Sequence, residues 1–141
     1  MYVDSLLEFS DAQALTGTAV STNVVPVSAN IGRGQPMAVV VTVGVAADYT
    51  SSDETYQVTI QTDDAAGMSS PTVIASSGVI NGDDLPLGSK IVVPLGFSNE
   101  AFLRINYVLA GSTPTATVSA SLMPMNMIDS YASYADNVVI L

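Results

Sequence analysis

The chain has 141 residues, of which 48% are apolar and only 11% are charged, and its 13 acidic and 3 basic side chains give a formal net charge of −10. It contains neither cysteine nor histidine, which excludes disulfides, thiol catalysis, zinc–thiolate sites and imidazole-dependent catalytic triads. Three basic side chains cannot neutralise many phosphates, so we expect no nucleic-acid partner. From the length of the chain we expect one domain with a full hydrophobic core.

The first segment, residues 1–15, is predicted to be an N-terminal arm. It lacks the basic start of a secretory signal, and no apolar run in the chain approaches the roughly 20 residues of a membrane span, so we expect a soluble protein with no membrane partner. Leu6, Leu7 and Phe9 are candidate interface residues because an idle tail is seldom this apolar. A short helix is expected over 10–15.

Residues 16–123 are predicted to form the β-domain. Short strands are expected at TAVSTNVVPV, PTVIAS and KIVVPL, and Pro26 and Pro94 indicate an edge position or a bulge in two of them. The segment MAVVVTVGVA is apolar on both faces, as is typical of a central strand that is covered twice. Apolar and polar residues alternate in TYQVTIQT, AFLRINYVL and ATVSASLM, which predicts strands with one wet face.

The shared parity of these strands predicts one common core. The side chains expected to be buried together are Val39, Val41, Val43, Val58, Ile60, Ile105, Tyr107 and Val118. Phe102 and Val108 fall on the opposite face of their strand, so they are candidate residues of a partly covered outer surface.

Turn-forming residues separate the seven or eight expected strands at short spacing, with no convincing amphipathic helix between them. Parallel strands need long crossovers, so this pattern predicts an all-β fold, an antiparallel β-sandwich. Periodicity alone leaves jelly-roll and immunoglobulin-like topologies open.

The last segment, residues 124–141, is too apolar for a free disordered tail. Met125, Met127, Tyr131 and Tyr134 are candidate interface residues, since methionine adapts to irregular surfaces and tyrosine offers rigid amphipathic area. Two alternatives remain equally open here. The segment is either an extended C-terminal arm that docks on a neighbour or an edge strand of its own sheet.

Three acidic pairs, Asp53–Glu54, Asp63–Asp64 and Asp83–Asp84, lie in predicted loops. Their spacing matches no calcium loop, and we favour turn initiation and capping over cation binding, so no metal or cofactor is expected. The run Gly32 to Gly34 is interpreted as a turn because no helix follows it to hold a phosphate. Lys90 is expected on an edge strand rather than as a nucleophile.

Four segments carry a family resemblance: VDSLLEFSDAQAL, IGRGQPMAVVVTV, QTDDAAGMSSPTVIASSGVI and FLRINYVLAG. Together, from residue 3 to about residue 122, they resemble the Bbp16-like capsid cementing proteins of tailed bacteriophages. The resemblance implies a jelly-roll-like sandwich without catalytic residues, made in the cytoplasm of a bacterial host. It also implies a place on the outer capsid surface of the virion, where a homo-oligomer, dimer or trimer, binds the major capsid protein.

Two other functions remain as alternatives. A carbohydrate-binding β-domain of a tail fibre or spike would also be acidic, cysteine-free and rich in serine and threonine, but it should present aromatic side chains on one exposed face. An enzyme is disfavoured by the missing histidine and cysteine, although a hydrolase that uses carboxylates alone remains open.

Overall fold

The computed structural model describes residues 7–27, 36–96 and 100–125. In these ranges the chain forms ten β-strands and a one-turn 3-10 helix at Gly82–Asp84, and none of its helices has the length and apolarity needed to cross a bilayer. In chain order the strands are β1 (Glu8–Leu15), β2 (Ala19–Val20), β3 (Val25–Pro26), β4 (Met37–Val45), β5 (Thr55–Asp63), β6 (Thr72–Ser76), β7 (Ile80–Asn81), β8 (Lys90–Leu95), β9 (Phe102–Ala110) and β10 (Ala116–Pro124).

The strands form two antiparallel sheets. The four-stranded sheet has the order β1-β10-β4-β8, and the six-stranded sheet follows β2-β9-β5-β6 with β3 beside β9 and β7 beside β5. The expected all-β antiparallel sandwich is therefore confirmed. The short strands at TAVSTNVVPV, PTVIAS and KIVVPL lie at sheet edges, as Pro26 and Pro94 indicated, because proline cannot donate a hydrogen bond to a neighbouring strand.

The pairing order defines a jelly roll. Counting β2 with β3 and β6 with β7 as single interrupted strands leaves eight, and these pair first with last, second with seventh, third with sixth and fourth with fifth. The pairs alternate between the two sheets, as in a long hairpin wrapped around a barrel-like core. This topology decides between the two alternatives that the sequence pattern left open.

The core lies between the sheets and contains every side chain predicted to be buried there. Register explains the agreement, because Val58 is paired with Tyr107 and Ile60 with Ile105 across β5 and β9, so residues of equal parity share a face. In β4, Val41 is fully buried on the inner face. The opposite face of β4 is also apolar and buried, at Ala38 and Val40, as the segment MAVVVTVGVA predicted.

The helix predicted over 10–15 is wrong, and the predicted arm over 1–15 is wrong for residues 8–15, which form β1. Two register irregularities and a positive φ of 49° at Ala12 interrupt the alternation, so Phe9 and Ser10 are both fully buried although they are adjacent. The hydroxyls of Ser10 and Tyr107 are 2.8 Å apart, which ties this bulged strand to the opposite sheet. The sandwich therefore begins at β1 rather than at residue 16.

Side chains close the open side of the sandwich beside β1. The Gln13 amide nitrogen donates to the Val20 carbonyl at 2.9 Å, and its amide oxygen accepts from the Thr22 backbone at 3.0 Å. The Asn23 backbone donates to the Phe9 carbonyl at 3.0 Å. These bonds satisfy an edge strand that would otherwise be open to pairing with another chain.

Candidate functional site

The strand connections lie at two opposite ends of the sandwich. The loop end is formed by residues 16–18, 46–54, 82–89 and 111–115. Two of these loops are joined by the Asp48 backbone, which donates to the Thr115 carbonyl at 2.8 Å. The terminal end is where β1 begins, β10 ends, and the connections β3–β4, β5–β6 and β8–β9 are made. Both chain termini thus leave the sandwich from the same end.

The loop end is tightly cross-linked by hydrogen bonds. The Tyr56 hydroxyl donates to the Asp48 carbonyl at 2.7 Å and accepts from the Thr115 backbone at 3.2 Å, and burial raises the pKa of Tyr56. The Asp53 carboxylate accepts from the backbone and hydroxyl of Ser112, both at 3.1 Å. The backbone bond from Ser112 lowers the pKa of Asp53. These polar groups therefore hold loops together.

Glu54 is the one fully buried acid among the described residues. Its Oε1 accepts from the Ser51 backbone at 3.1 Å, whereas its Oε2 is buried without a hydrogen-bond partner. No three metal-ligating side chains lie together within residues 7–27, 36–96 and 100–125. Among these residues, the carboxyl of Glu54 is therefore not part of a built cation site.

At the terminal end, Asp63 organises the turn after β5. Its carboxylate accepts from the backbone of Asp64 at 2.7 Å, Ala65 at 3.4 Å and Ser70 at 2.9 Å. The bond from Ser70 contributes most to a lowered pKa of Asp63. The predicted turn-initiating role is confirmed for Asp63, the first acid of this pair.

A small cavity lies in the interior of the sandwich, but it is too small for a ligand larger than a water molecule. That cavity, of about 20 Å³, lies between the sheets beside Leu15, Val41 and Tyr107. It would hold one water molecule but exposes only apolar surface, so it is a gap in core packing. The surfaces suited to binding a partner are the outer faces of the two sheets.

The six-strand face, the outward side of the six-stranded sheet, is partly apolar, and Arg104 is a cation on it between Phe102 and Val108. Phe102 and Val108 are half-buried on it, as their strand parity predicted. The Arg104 Nε donates to the Gln61 amide oxygen at 2.7 Å, so the guanidinium has a hydrogen-bond partner within this face. Val20 and Val73, on flanking strands, are 42% and 54% exposed. Such a surface favours contact with another protein.

The four-strand face, the outward side of the four-stranded sheet, carries a second apolar patch. Ala38 is paired with Met123 and with Pro94, and Val40 is paired with Ser121 and with Val92. Ala38, Val40 and Met123 form a buried cluster separate from the main core. The sequence signal for this patch was the double-sided apolar strand; its continuation onto β10 depends on register and was missed.

A comparison with protein-family models matches residues 9–122 to the Bbp16 family. The chain belongs to the Bbp16 family. This is a phage-related family, and the match runs from β1 to β10, so it covers both sheets. A search of curated proteins found no match.

In this Bbp16 chain the candidate interface residues have different positions. Phe9 is fully buried in the core, so its prediction as an interface residue is wrong, and Leu7 is half-buried against the same core. Phe102 and Val108 share the six-strand face, whereas Met125 is 37% exposed at the terminal end. The candidates outside the described residues are Leu6, Met127, Tyr131 and Tyr134.

Other sequence candidates are also placed. Lys90 begins β8, an edge strand, as expected. The run Gly32 to Gly34 lies outside the described residues. Aromatic side chains form no exposed platform in the described part of this Bbp16 protein, where Tyr56 and Tyr107 are buried and Tyr49 and Phe102 are half-buried.

Proposed function

We propose that this Bbp16 protein is a structural virion protein without catalytic activity. It binds the outside of a tailed-phage icosahedral capsid and cements adjacent major capsid subunits, which stabilises the expanded shell. Membership in a phage-related family over the whole sandwich supports this role. The protein is made in the cytoplasm of the bacterial host and acts on the virion surface.

The six-strand face is the observation that carries the proposal. Half-buried Phe102 and Val108 and exposed Val20 and Val73 lie on it with mostly uncharged neighbours. Arg104 is the cation between Phe102 and Val108, and only 11% of the whole chain is charged. Depletion of charge with apolar and aromatic side chains at the centre is typical of protein interfaces. We assign this face to self-association into a homo-oligomer, dimer or trimer.

Self-association explains how so small a domain clamps several capsid subunits. Each protomer contributes one terminal end, where Leu7 and the exposed Met125 lie and from which both chain termini leave. Two or three such ends in one oligomer bind neighbouring subunits at once, and multivalent binding raises the overall affinity without new contacts. The oligomer thereby resists separation of the subunits it bridges.

The alternative, a carbohydrate-binding domain of a tail fibre or spike, shares the jelly-roll fold with lectins. Sugar binding commonly uses exposed aromatic faces, and residues 7–27, 36–96 and 100–125 contain none in an exposed position. The surface therefore favours protein contact over sugar contact.

The proposal is tested by co-sedimentation of the purified protein with undecorated shells of the major capsid protein from the same genome. We expect the protein to bind expanded shells. Met125→Asp should weaken binding, because it places a charge in the contact, whereas Leu87→Asp should not, because Leu87 is 70% exposed at the opposite end. Failure of the unaltered protein to bind any shell, or equal loss in both variants, would contradict the proposal.

A further inference from the structure

A chemically labile dipeptide lies where β7 enters the loop end. Asn81–Gly82 is the single Asn-Gly pair in the sequence, and every other asparagine precedes a larger residue. In such a pair the glycine nitrogen attacks the asparagine side-chain amide more readily than in other pairs, because glycine has no Cβ to hinder the approach. Asn81 is exposed and its side chain makes no capping hydrogen bond, so its amide carbon is accessible.

We propose that Asn81 is a site of spontaneous deamidation, which the loop end keeps unreactive while it is closed. The Gly82 nitrogen attacks Cγ of Asn81, the Cγ–Nδ2 bond breaks, and ammonia leaves with the proton of the Gly82 nitrogen, which closes a five-membered succinimide. Water then adds to one of the two ring carbonyls and breaks its bond to that nitrogen, giving aspartate or isoaspartate. Water is the one co-reactant, and this inference is independent of the proposed capsid role.

The backbone of Asn81 is held away from the geometry that ring closure needs. The attacking nitrogen must lie nearly eclipsed with Cβ of Asn81, which places ψ outside both the α and the β regions. Asn81 instead has φ of −71° and ψ of 146°, and its pairing with Thr55 in β5 keeps it extended. The end of β7 must therefore separate from β5 before the ring can close.

The attacking nitrogen is also occupied and shielded. Gly82 is buried, and its N–H donates to the Glu54 carbonyl at 3.0 Å. The Asp48 carbonyl and the Tyr56 ring lie so close that a Cβ at position 82 would collide with Asp48. Attack requires the nitrogen to lose both its proton and its acceptor, which the closed loop end prevents. The same packing demands glycine at position 82, the residue that makes Asn81 labile.

Tyr56 and Asp53 hold in place the two carbonyls that enclose this nitrogen. The Tyr56 hydroxyl donates to the Asp48 carbonyl at 2.7 Å. Asp53 directly precedes Glu54, and two hydrogen bonds anchor its carboxylate to the loop of residues 111–115. Local opening of these loops then sets the rate of reaction, because only opened molecules react. Each event adds a negative charge and, as isoaspartate, one extra backbone carbon.

Peptide mapping by mass spectrometry tests the proposal on the full chain. The protein is incubated in mildly alkaline buffer, folded and in guanidinium chloride, and the mass gain of deamidation is followed in each peptide that contains asparagine. In denaturant we expect Asn81 to react about tenfold or more faster than any other asparagine, and in the folded protein about tenfold or more slowly than in denaturant. Equal rates in the two states, or earlier modification of another asparagine in denaturant, would overturn the proposal.

Two matched Tyr→Phe variants locate the restraint. Tyr56→Phe removes the hydroxyl that holds the Asp48 carbonyl, whereas Tyr107→Phe removes a buried hydroxyl that contacts Ser10. We expect Asn81 to deamidate about fivefold or more faster in folded Tyr56→Phe than in the unaltered protein, and to stay within about twofold in Tyr107→Phe. No acceleration in Tyr56→Phe, or the same acceleration in both variants, would overturn the proposal.

A second variant keeps the test decisive if Tyr56→Phe does not fold. Asp53→Ala, at an exposed position, removes both hydrogen bonds from Ser112 and loosens the loop that ends at Glu54. We expect faster deamidation of Asn81 in the folded variant than in the unaltered protein. An unchanged rate would show that opening of these loops does not control the reaction and would overturn the proposal.

Discussion

Val41 provides the sharpest test of the fold, because it is fully buried at the middle of β4 and is paired with Ala120 and Ile91 on either side. Val41→Ala removes two methyl groups, which costs about 1.6 kcal/mol in transfer free energy, and the residual cavity brings the total to about 2–3 kcal/mol. Val41→Asp adds an unpaired buried carboxylate at a further cost of several kcal/mol. Against a typical stability of about 5–15 kcal/mol, we expect Val41→Asp to leave the domain largely unfolded.

The matched control is Val45→Asp, the same substitution in the same strand at a side chain that is 58% exposed. It should change the free energy of unfolding by only about 0.5 kcal/mol. Denaturant unfolding followed by circular dichroism and tyrosine fluorescence measures all three variants. A soluble Val41→Asp protein that unfolds cooperatively near the wild-type midpoint would refute the assigned register of β4.

Three further predictions concern pH and assembly. Burial raises the pKa of Tyr107 from 10.0 to about 12. The stability that the protonated, buried phenol provides is therefore complete below pH 10 and is lost as the pH rises to 12. Tyr107→Phe should remove about 3 kcal/mol of this alkaline destabilisation in urea titrations, and an unchanged pH profile would contradict the burial. The pKa of Asp63 is lowered, so its carboxylate stabilises the fold at pH values above its ordinary pKa of 3.8, and this stability is lost as the pH falls further. Asp63→Asn should therefore make the melting temperature fall less steeply in acid than it does in the wild type. An equally steep fall would count against the Ser70 contact. Light scattering should give a multiple of 14.5 kDa that falls towards the monomer mass in Phe102→Ser. The net charge of −10 should not prevent association, because it is screened within about 8 Å at physiological salt, so a monomer at high micromolar concentration would contradict self-association.

The sequence predicted the strands that have one dry and one wet face. In β5, β9 and β10 the alternation is regular, so parity alone identified inward side chains such as Ile60, Ile105 and Val118. It failed at β1, where bulges bury the adjacent Phe9 and Ser10 and remove the period of two. Strand pairing, and with it the jelly-roll order, depends on contacts between distant segments that no local period specifies.

The candidate surfaces show the same division between local and long-range information. The outward position of Phe102 and Val108 followed from parity within one strand. The patch of Ala38, Val40 and Met123 arises only when β4 and β10 pair, since these strands are far apart in the chain. The Asp53 to Ser112 bond likewise joins two loops that the sequence gives no reason to connect.

The cementing role can be tested by electron microscopy of expanded, undecorated shells incubated with the protein. We expect added density on the outer surface at junctions between major capsid subunits, as dimers or trimers, together with a higher temperature of shell disassembly. Shells that stay bare at saturating protein, or density confined to the tail or to the shell interior, would contradict the cementing role.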